Sequence, residues 1–289
     1  MGRLVLIDGV VCAPEEARVS VYDRGFLYGD SVFETIRTYG GKPFALDEHI
    51  HRLERSAGEV GIALPVPADQ IAEETLRAVT EAGNPESYAR LMLTRGSGKL
   101  GLDPSHADQP LRIVIIEPLK MPPKEIYQRG IRARSIQTVR AADAANSAKL
   151  GNYLASVLAL REAQAGGADE ALVVNRDGLV IEGTTANVMS VRAGRVVTPP
   201  LTAGVLAGIT RARVLDIARE LGFEVDEEAF TPTELARSDE LFLTSSIREI
   251  VPVVMLDGMP IGNGEPGAVT RALHAAFRRR VGLAELPWI

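Results

Sequence analysis

At 289 residues, 46% apolar and 24% charged, the chain has the make-up of a soluble globular protein with one large or two moderate domains. A net charge of −6 argues against a general binder of nucleic acid or of an anionic membrane, and no apolar run approaches a membrane span. The single cysteine, Cys12, excludes an intrachain disulfide framework and a thiolate-rich metal site. The early run "LVLIDGVVC" is broken by Asp8 and lacks a basic leader, so a cytoplasmic protein is expected.

The first forty-odd residues read as strands and tight turns, with an Asp-Gly hairpin in "RLVLIDGVVC" and a Gly-Gly hairpin in "SVFETIRTYGGKPFAL". "DEHIHRLERSAGEVGI" follows as a helix capped by Asp47, with Ile50, Leu53 and Ala57 on one face. "PADQIAEETLRAVTEAG" is a second helix with a glycine stop; "YARLMLTRG" and "LRIVIIEPL" are strands. The proline pair in "KMPPKE" marks residues 120–125 as the linker between an N-terminal domain, 1–119, and a larger one, 126–289. Beyond it come a strand in "IRARSIQTVR" and a helix in "YLASVLALREAQAGGA", whose apolar face is Tyr153, Leu154, Val157 and Leu158. Hairpins "EALVVNRDGLVIEG" and "ANVMSVRAGRVVTPP" follow, each with glycine at its turn. The helix "GITRARVLDIARELGFEV", the strand–turn–strand "ELFLTSSIREIVPVVMLDG" and the helix "PGAVTRALHAAFRRRV" complete the chain; the "RRR" at 278–280 reads as a solvated helix end. Hairpins outnumber βαβ alternation, which makes this an α+β pattern.

"GSGKLG" at 96–101 matches a dinucleotide fingerprint, but "LDPSHADQP" after it has no helical periodicity to hold a pyrophosphate, so a loop is expected. The four histidines do not form a metal set: His49 and His51 are two apart on a helix and face different ways. No metal is expected. Lys149, just before an apolar helix, reads alone as an ordinary cation. Other elements change that. "IEGTTANV" places Glu182 at a strand end. "AGITRARV" places Gly208, Ile209 and Thr210 at a helix start, where free N–H groups favour a phosphate. "EHIHRLERSA" supplies Arg52. An amine, an acid, a helix-start cradle and an arginine are together what pyridoxal 5′-phosphate needs.

With those pieces in order, the chain resembles the fold-type IV pyridoxal-phosphate family, which includes branched-chain aminotransferases, D-amino-acid aminotransferases and aminodeoxychorismate lyases. The resemblance runs from "VYDRGFLYGDSVFETIRTY" through "EHIHRLERSA", "SAKLGNYL", "EGTTANV" and "TPPLTAGVLAGITR" to "TSSIREIVPV". Met189 departs from the aromatic residue usual in the family. The resemblance implies a two-domain fold, a small N-terminal α/β domain and a larger C-terminal domain of mixed sheet or pseudo-barrel flanked by helices. It also implies a homodimer with the active site at the subunit interface, and amino acids and keto acids as its small-molecule partners.

By the same resemblance Lys149 joins the cofactor covalently and shuttles the substrate proton. Glu182 pairs with the pyridine nitrogen and Tyr153 with the phenolic oxygen. Arg52, Ile209, Thr210 and Ser246 hold the phosphate, and Asn187 orders the turn near Glu182. Phe33 and Tyr88 wall the side-chain pocket, Arg37 and Arg90 help accept a dicarboxylate, and Ile247 and Arg248 flank the substrate. Tyr28 and the 100–104 loop come from the neighbouring subunit. The implied activity is ping-pong transfer of an amino group between a hydrophobic, branched-chain type amino acid and 2-oxoglutarate. Two alternatives stand beside it. One is a D-amino-acid or (R)-amine transaminase with a non-standard carboxylate trap: Leu100 and Leu102 fall where D-specific enzymes carry arginine and histidine, and Arg248 could bind the carboxylate instead. The other is a lyase releasing pyruvate and 4-aminobenzoate from aminodeoxychorismate, favoured by Arg248, which stands where branched-chain enzymes carry a small residue.

Overall fold

The computed structural model describes residues 2–138 and 148–283. They fall into two compact units: the described part of 1–120 with 144–153, and that of 121–143 with 154–289.

In the first unit both hairpins close where their dipeptides predict. β1 (Leu4–Ile7) and β2 (Val10–Cys12) meet through Asp8-Gly9; β3 (Ser31–Tyr39) and β4 (Lys42–Pro43) meet through Gly40-Gly41. All four turn residues have φ between 50° and 81°, the left-handed pair a two-residue hairpin turn needs. With β5 (Ser87–Thr94) and β6 (Leu111–Pro118) these strands form a six-stranded antiparallel sheet in the order β2-β1-β6-β5-β3-β4. Helices α2 (Leu46–Glu59) and α3 (Ala68–Ala82) pack on it. Ile50, Leu53 and Ala57 of α2 meet Val32 and Ile36 of β3 in one apolar cluster, as the helical spacing predicts.

The second unit holds a nine-stranded mixed sheet. Its strands are β7 (Ile131–Gln137), β8 (Glu170–Val174), β9 (Val180–Gly183), β10 (Asn187–Arg192), β11 (Arg195–Thr198), β12 (Val225–Glu227), β13 (Glu240–Ser245), β14 (Glu249–Leu256) and β15 (Met259–Pro260). The order is β12-β11-β10-β13-β14-β7-β8-β9, with β15 on β14; β12 joins β11, and β7 joins β14 and β8, in parallel. The short helices α4 (Glu125–Gln128) and α7 (Pro232–Leu235) lead into β7 and β13. Helix α5 (Leu154–Ala165) packs on β7 and β8; α6 (Ile209–Glu220) and α8 (Ala268–Arg280) pack on each other and on β13. Phe230, Leu241, Leu243, Val251 and Val253 lie at the centre of its core. No helix among the described residues is long and apolar enough to cross a membrane.

Four expectations are corrected. Residues 24–28 are a short helix, α1 (Arg24–Tyr28), rather than strand and turn: the Asp23 carboxylate caps it at Gly25 N–H and is itself fixed by Thr94 Oγ1 from β5, a contact no local pattern reveals. Asp47 does not cap α2. Ala45, in a left-handed conformation, stands before Leu46, and Asp47 lies in the first turn, where its charge suits the helix dipole. The apolar stripe of α5 is not its buried face. Leu154, Val157 and Leu158 are 65%, 57% and 43% exposed, while Ala159 and Ala163 are buried with Ile136 and Ala171. Small side chains let the helix lie close on β7 and β8, and closeness outweighs side-chain size. The "RRR" end is not wholly solvated either, because Arg278 is buried and paired with Glu249. The "GSGKLG" segment is a loop as expected, followed only by a single 3-10 turn at Pro104–His106.

Candidate active site

In the first unit the segment carrying Lys149 runs antiparallel along the edge of β3. Phe33 N–H donates to Lys149 O at 3.0 Å, Gly151 N–H donates to Ser31 O at 2.7 Å, and Val32 bridges Leu150. From below, Ser56 Oγ of α2 accepts the Lys149 backbone N–H at 3.2 Å. The backbone of Lys149 is therefore tied to a strand and a helix, which leaves its side chain to be aimed by its neighbours. Nζ lies 3.5 Å from the Tyr153 hydroxyl and 4.5 Å from the centre of the Phe33 ring, and Phe33 meets Tyr153 edge to face at 5.3 Å. Asn146 and Ser147, which open the lysine motif, lie outside the described residues.

Arg52 sits on the buried face of α2. Its Nε donates to Glu34 Oε1 at 2.7 Å and its Nη2 to Glu34 Oε2 at 2.6 Å; His49 Nδ1 meets the same Oε2 at 2.7 Å. Burial by itself raises the pKa of Glu34, but the Arg52 charge and the bonds from Arg52 and His49 outweigh it and hold the carboxyl at about 2. Burial lowers the pKa of His49, so the neutral ring donates its Nδ1 proton to the carboxylate. A depressed acid contributes stability above the unfolded-state pKa near 4.5 and loses it as the pH falls toward 2. Urea unfolding between pH 6 and pH 2.5 is expected to show a loss on the order of 3 kcal/mol from this group. Glu34→Gln should be less stable at pH 6 but fall more gently with acid. A parallel pH dependence in the two proteins would contradict the assignment.

Strand alternation places Phe33, Arg37, Tyr88 and Arg90 on the sheet face opposite α2 and α3. Phe33 pairs with Met92, Thr35 with Arg90 and Arg37 with Tyr88 across β3 and β5. The Arg90 guanidinium lies 3.9 Å from the Phe33 ring centre, and among the described residues no hydrogen-bond or carboxylate partner stands against it. Arg37 is buried over Tyr39. Tyr28, on α1, accepts a hydrogen bond from Gly101 N–H at 3.0 Å, and Arg24 bonds the carbonyls of Gly101 and Leu102. This joins α1 to the 100–104 loop, and both present apolar side chains to solvent: Phe26 is 72% and Leu102 80% exposed.

The second unit holds the other residues. Glu182, near the end of β9, accepts at Oε2 from Asn187 Nδ2 (3.3 Å) and Leu206 N–H (3.2 Å). Asn187 also donates to Leu206 O, so it does order this turn. Gly208 precedes α6, and no side chain caps the helix. A Cβ at Gly208 would overlap Asn187 Oδ1, so glycine is what lets the helix start and the Glu182 turn meet. Ile209 and the buried Thr210 stand in the first turn of α6, where backbone N–H groups would favour an anion. Ser246, Ile247 and Arg248 form the turn between β13 and β14. The Arg248 guanidinium is not aimed at Glu249. Its Nη2 donates to the buried Glu170 at 2.7 Å and to Thr185 Oγ1 at 3.4 Å, and Thr184 bonds the same carboxylate. Met189 is fully buried in β10, a packing position.

Sequence reading missed Glu34, His49 and Glu170. For Glu34 a signal was present: it shares a strand face with Val32 and Ile36, two residues to either side, so an acid occupies an inward position of β3. His49, three residues before Arg52 on the helix, was the companion clue. Glu170 is 78 residues from Arg248, and nothing local announces that pair.

A family model described as amino-transferase class IV matches residues 31–256. A putative branched-chain-amino-acid aminotransferase of Methanocaldococcus jannaschii is 41% identical over 276 residues, 95% of each chain. A D-alanine aminotransferase of Bacillus licheniformis is 35% identical over 277 residues, 96% of each. Among solved structures, a T.th. branched-chain amino acid aminotransferase with pyridoxamine 5′-phosphate superposes with a TM-score of 0.92 at 32% identity, covering 100% of this chain and 97% of that one.

Proposed function

The chain belongs to the class IV aminotransferases, and from that premise we propose that it moves an amino group between a hydrophobic, branched-chain type amino acid and 2-oxoglutarate, with pyridoxal 5′-phosphate as its cofactor. The observation that carries the substrate choice is the aromatic wall beside Lys149, on which lies a guanidinium with no hydrogen-bond or carboxylate partner among the described residues: Phe33 and Tyr153 suit an aliphatic side chain, and Arg90 suits the distal carboxylate of 2-oxoglutarate. Arg37 and Tyr88, paired across the strands, extend that wall.

The donor groups suit the cofactor. An amine on a doubly anchored backbone, a carboxylate with one oxygen pinned by two donors, an uncapped helix start cleared by Gly208, and a buried arginine answer to its aldehyde, ring nitrogen and phosphate. Lys149 would hold it covalently, and Tyr153 would bond its phenolic oxygen. Arg52, Ile209, Thr210 and Ser246 would take the phosphate. When bound, the cofactor draws electrons from the substrate's α-carbon and so makes the proton there removable. Lys149 Nζ would take that proton as base and return it as acid. Glu182 would keep a proton on the ring nitrogen. Ile247 and Arg248 would border the substrate, with Arg248 held back by Glu170.

The D-amino-acid reading is supported by the likeness to the Bacillus licheniformis enzyme. Against it, Leu100 and Leu102, largely exposed and apolar, offer no carboxylate trap. The active site would be completed in a homodimer, in which Tyr28 and the 100–104 loop reach the partner subunit; the exposed apolar side chains of α1 and of that loop suit such a contact. Initial rates with L-leucine, L-valine, D-alanine and an aromatic (R)-amine, each against 2-oxoglutarate and pyruvate, test the substrate. The L-branched donors with 2-oxoglutarate are expected to be fastest. A preference for D-alanine, or pyruvate release from aminodeoxychorismate with no keto acid present, would replace this reading with one of the alternatives.

A further inference from the structure

We propose that Glu34 and His49 are positioning residues for Arg52, a buried relay in which His49 fixes the Glu34 carboxylate and Glu34 fixes the plane of the phosphate-holding guanidinium. The inference rests on the assignment of Arg52 to the cofactor's phosphate.

A guanidinium is planar, so two bonds from Nε and Nη2 to the two oxygens of one carboxylate set the direction of all its N–H groups. The carboxylate is fixed in turn. Oε2, the oxygen that meets Arg52 Nη2, also receives His49 Nδ1–H, which stops the group from rotating. His49 and Arg52 lie three residues apart on α2, hence on one helix face, and Glu34 descends onto that face from β3. All three side chains are buried. Stability alone is a poor reason to bury such a set, because a well-packed apolar replacement of a buried ion pair is often as stable or more so. What the ionic set provides is a single orientation for a long side chain with many rotamers. One turn further on, Ser56 of the same helix face receives the Lys149 backbone N–H. Helix α2 thus aligns the cation for the phosphate and the segment bearing the amine against the same strand.

The test is titration of pyridoxal 5′-phosphate into the cofactor-free full-length protein, with Kd and the ³¹P resonance of the bound phosphate as readouts. His49→Leu is expected to weaken binding about tenfold or more and to shift or broaden the ³¹P line, since a hydrogen bond to a charged group is lost. His49→Asn, whose amide N–H can stand in for Nδ1–H, should stay within about threefold of the parent. Glu34→Gln, which keeps the volume, should weaken binding like His49→Leu and carries the test if the leucine variant does not fold. In an Arg52→Gln background neither change should weaken binding further, a coupling that a merely structural role would not produce. If Arg52→Gln weakens binding while His49→Leu and Glu34→Gln leave Kd and the ³¹P line untouched, the relay is wrong and the role of Arg52 stands. Additive losses in the Arg52→Gln background would also overturn the relay. If Arg52→Gln binds the cofactor as the parent does, the assignment of Arg52 itself fails.

Discussion

Lys149→Ala is expected to lower the transamination rate by roughly 10²–10⁴-fold, the range over which a positioned acid–base group acts. The loss should fall on kcat, because the variant removes the group that moves the α-proton and leaves the pocket walls in place. The fold should be spared. The bonds that dock this segment are made by backbone atoms, the Lys149 N–H to Ser56 and the Lys149 carbonyl from Phe33 N–H, and alanine keeps both. The variant should melt within a few degrees of the parent, and borohydride reduction followed by mass spectrometry should find no cofactor mass on residue 149. Activity within tenfold of the parent, or cofactor mass recovered on another lysine, would remove Lys149 from its central place.

Glu182→Gln is the second large effect. Glutamine keeps the shape of the side chain and an acceptor oxygen for Asn187 Nδ2 and Leu206 N–H, so the turn should persist. What goes is the negative charge that would hold a proton on the ring nitrogen, and kcat should fall on the order of 10²-fold or more. Cofactor Kd should change far less, since the phosphate contacts assigned to Arg52 and the start of α6 are untouched. Glu182→Asp, charged but shorter, should lie between the two. Near-parental kcat in the glutamine variant would show that the ring nitrogen needs no anion here.

The parts of this protein legible in its sequence are those governed by near neighbours. Asp8-Gly9 and Gly40-Gly41 make their hairpins because two successive left-handed residues are available there and few other sequences supply them. Gly83 ends α3 for the same reason. The spacing of Ile50, Leu53 and Ala57 chose the buried face of α2 correctly. On α5 the same reasoning chose wrongly, because a size-weighted stripe takes no account of how closely the helix must approach its sheet, and Ala159 and Ala163 fit where leucines would not.

The candidate site divides along the same line. Lys149, Glu182, Arg52 and the Gly208–Thr210 helix start stand out in the sequence as an ordered set of chemical types, and that order, with the family resemblance, sufficed to point to the cofactor. How each is held was decided only in three dimensions. Arg52 meets an acid 18 residues away, Arg248 one 78 away, and Glu249, adjacent to Arg248 in the chain, turns instead to His274 and Arg278 of α8. Charge is long-ranged, and a buried ion needs a partner wherever the fold can bring one. Local sequence therefore determines which groups are offered, and the tertiary structure alone determines which are free to act.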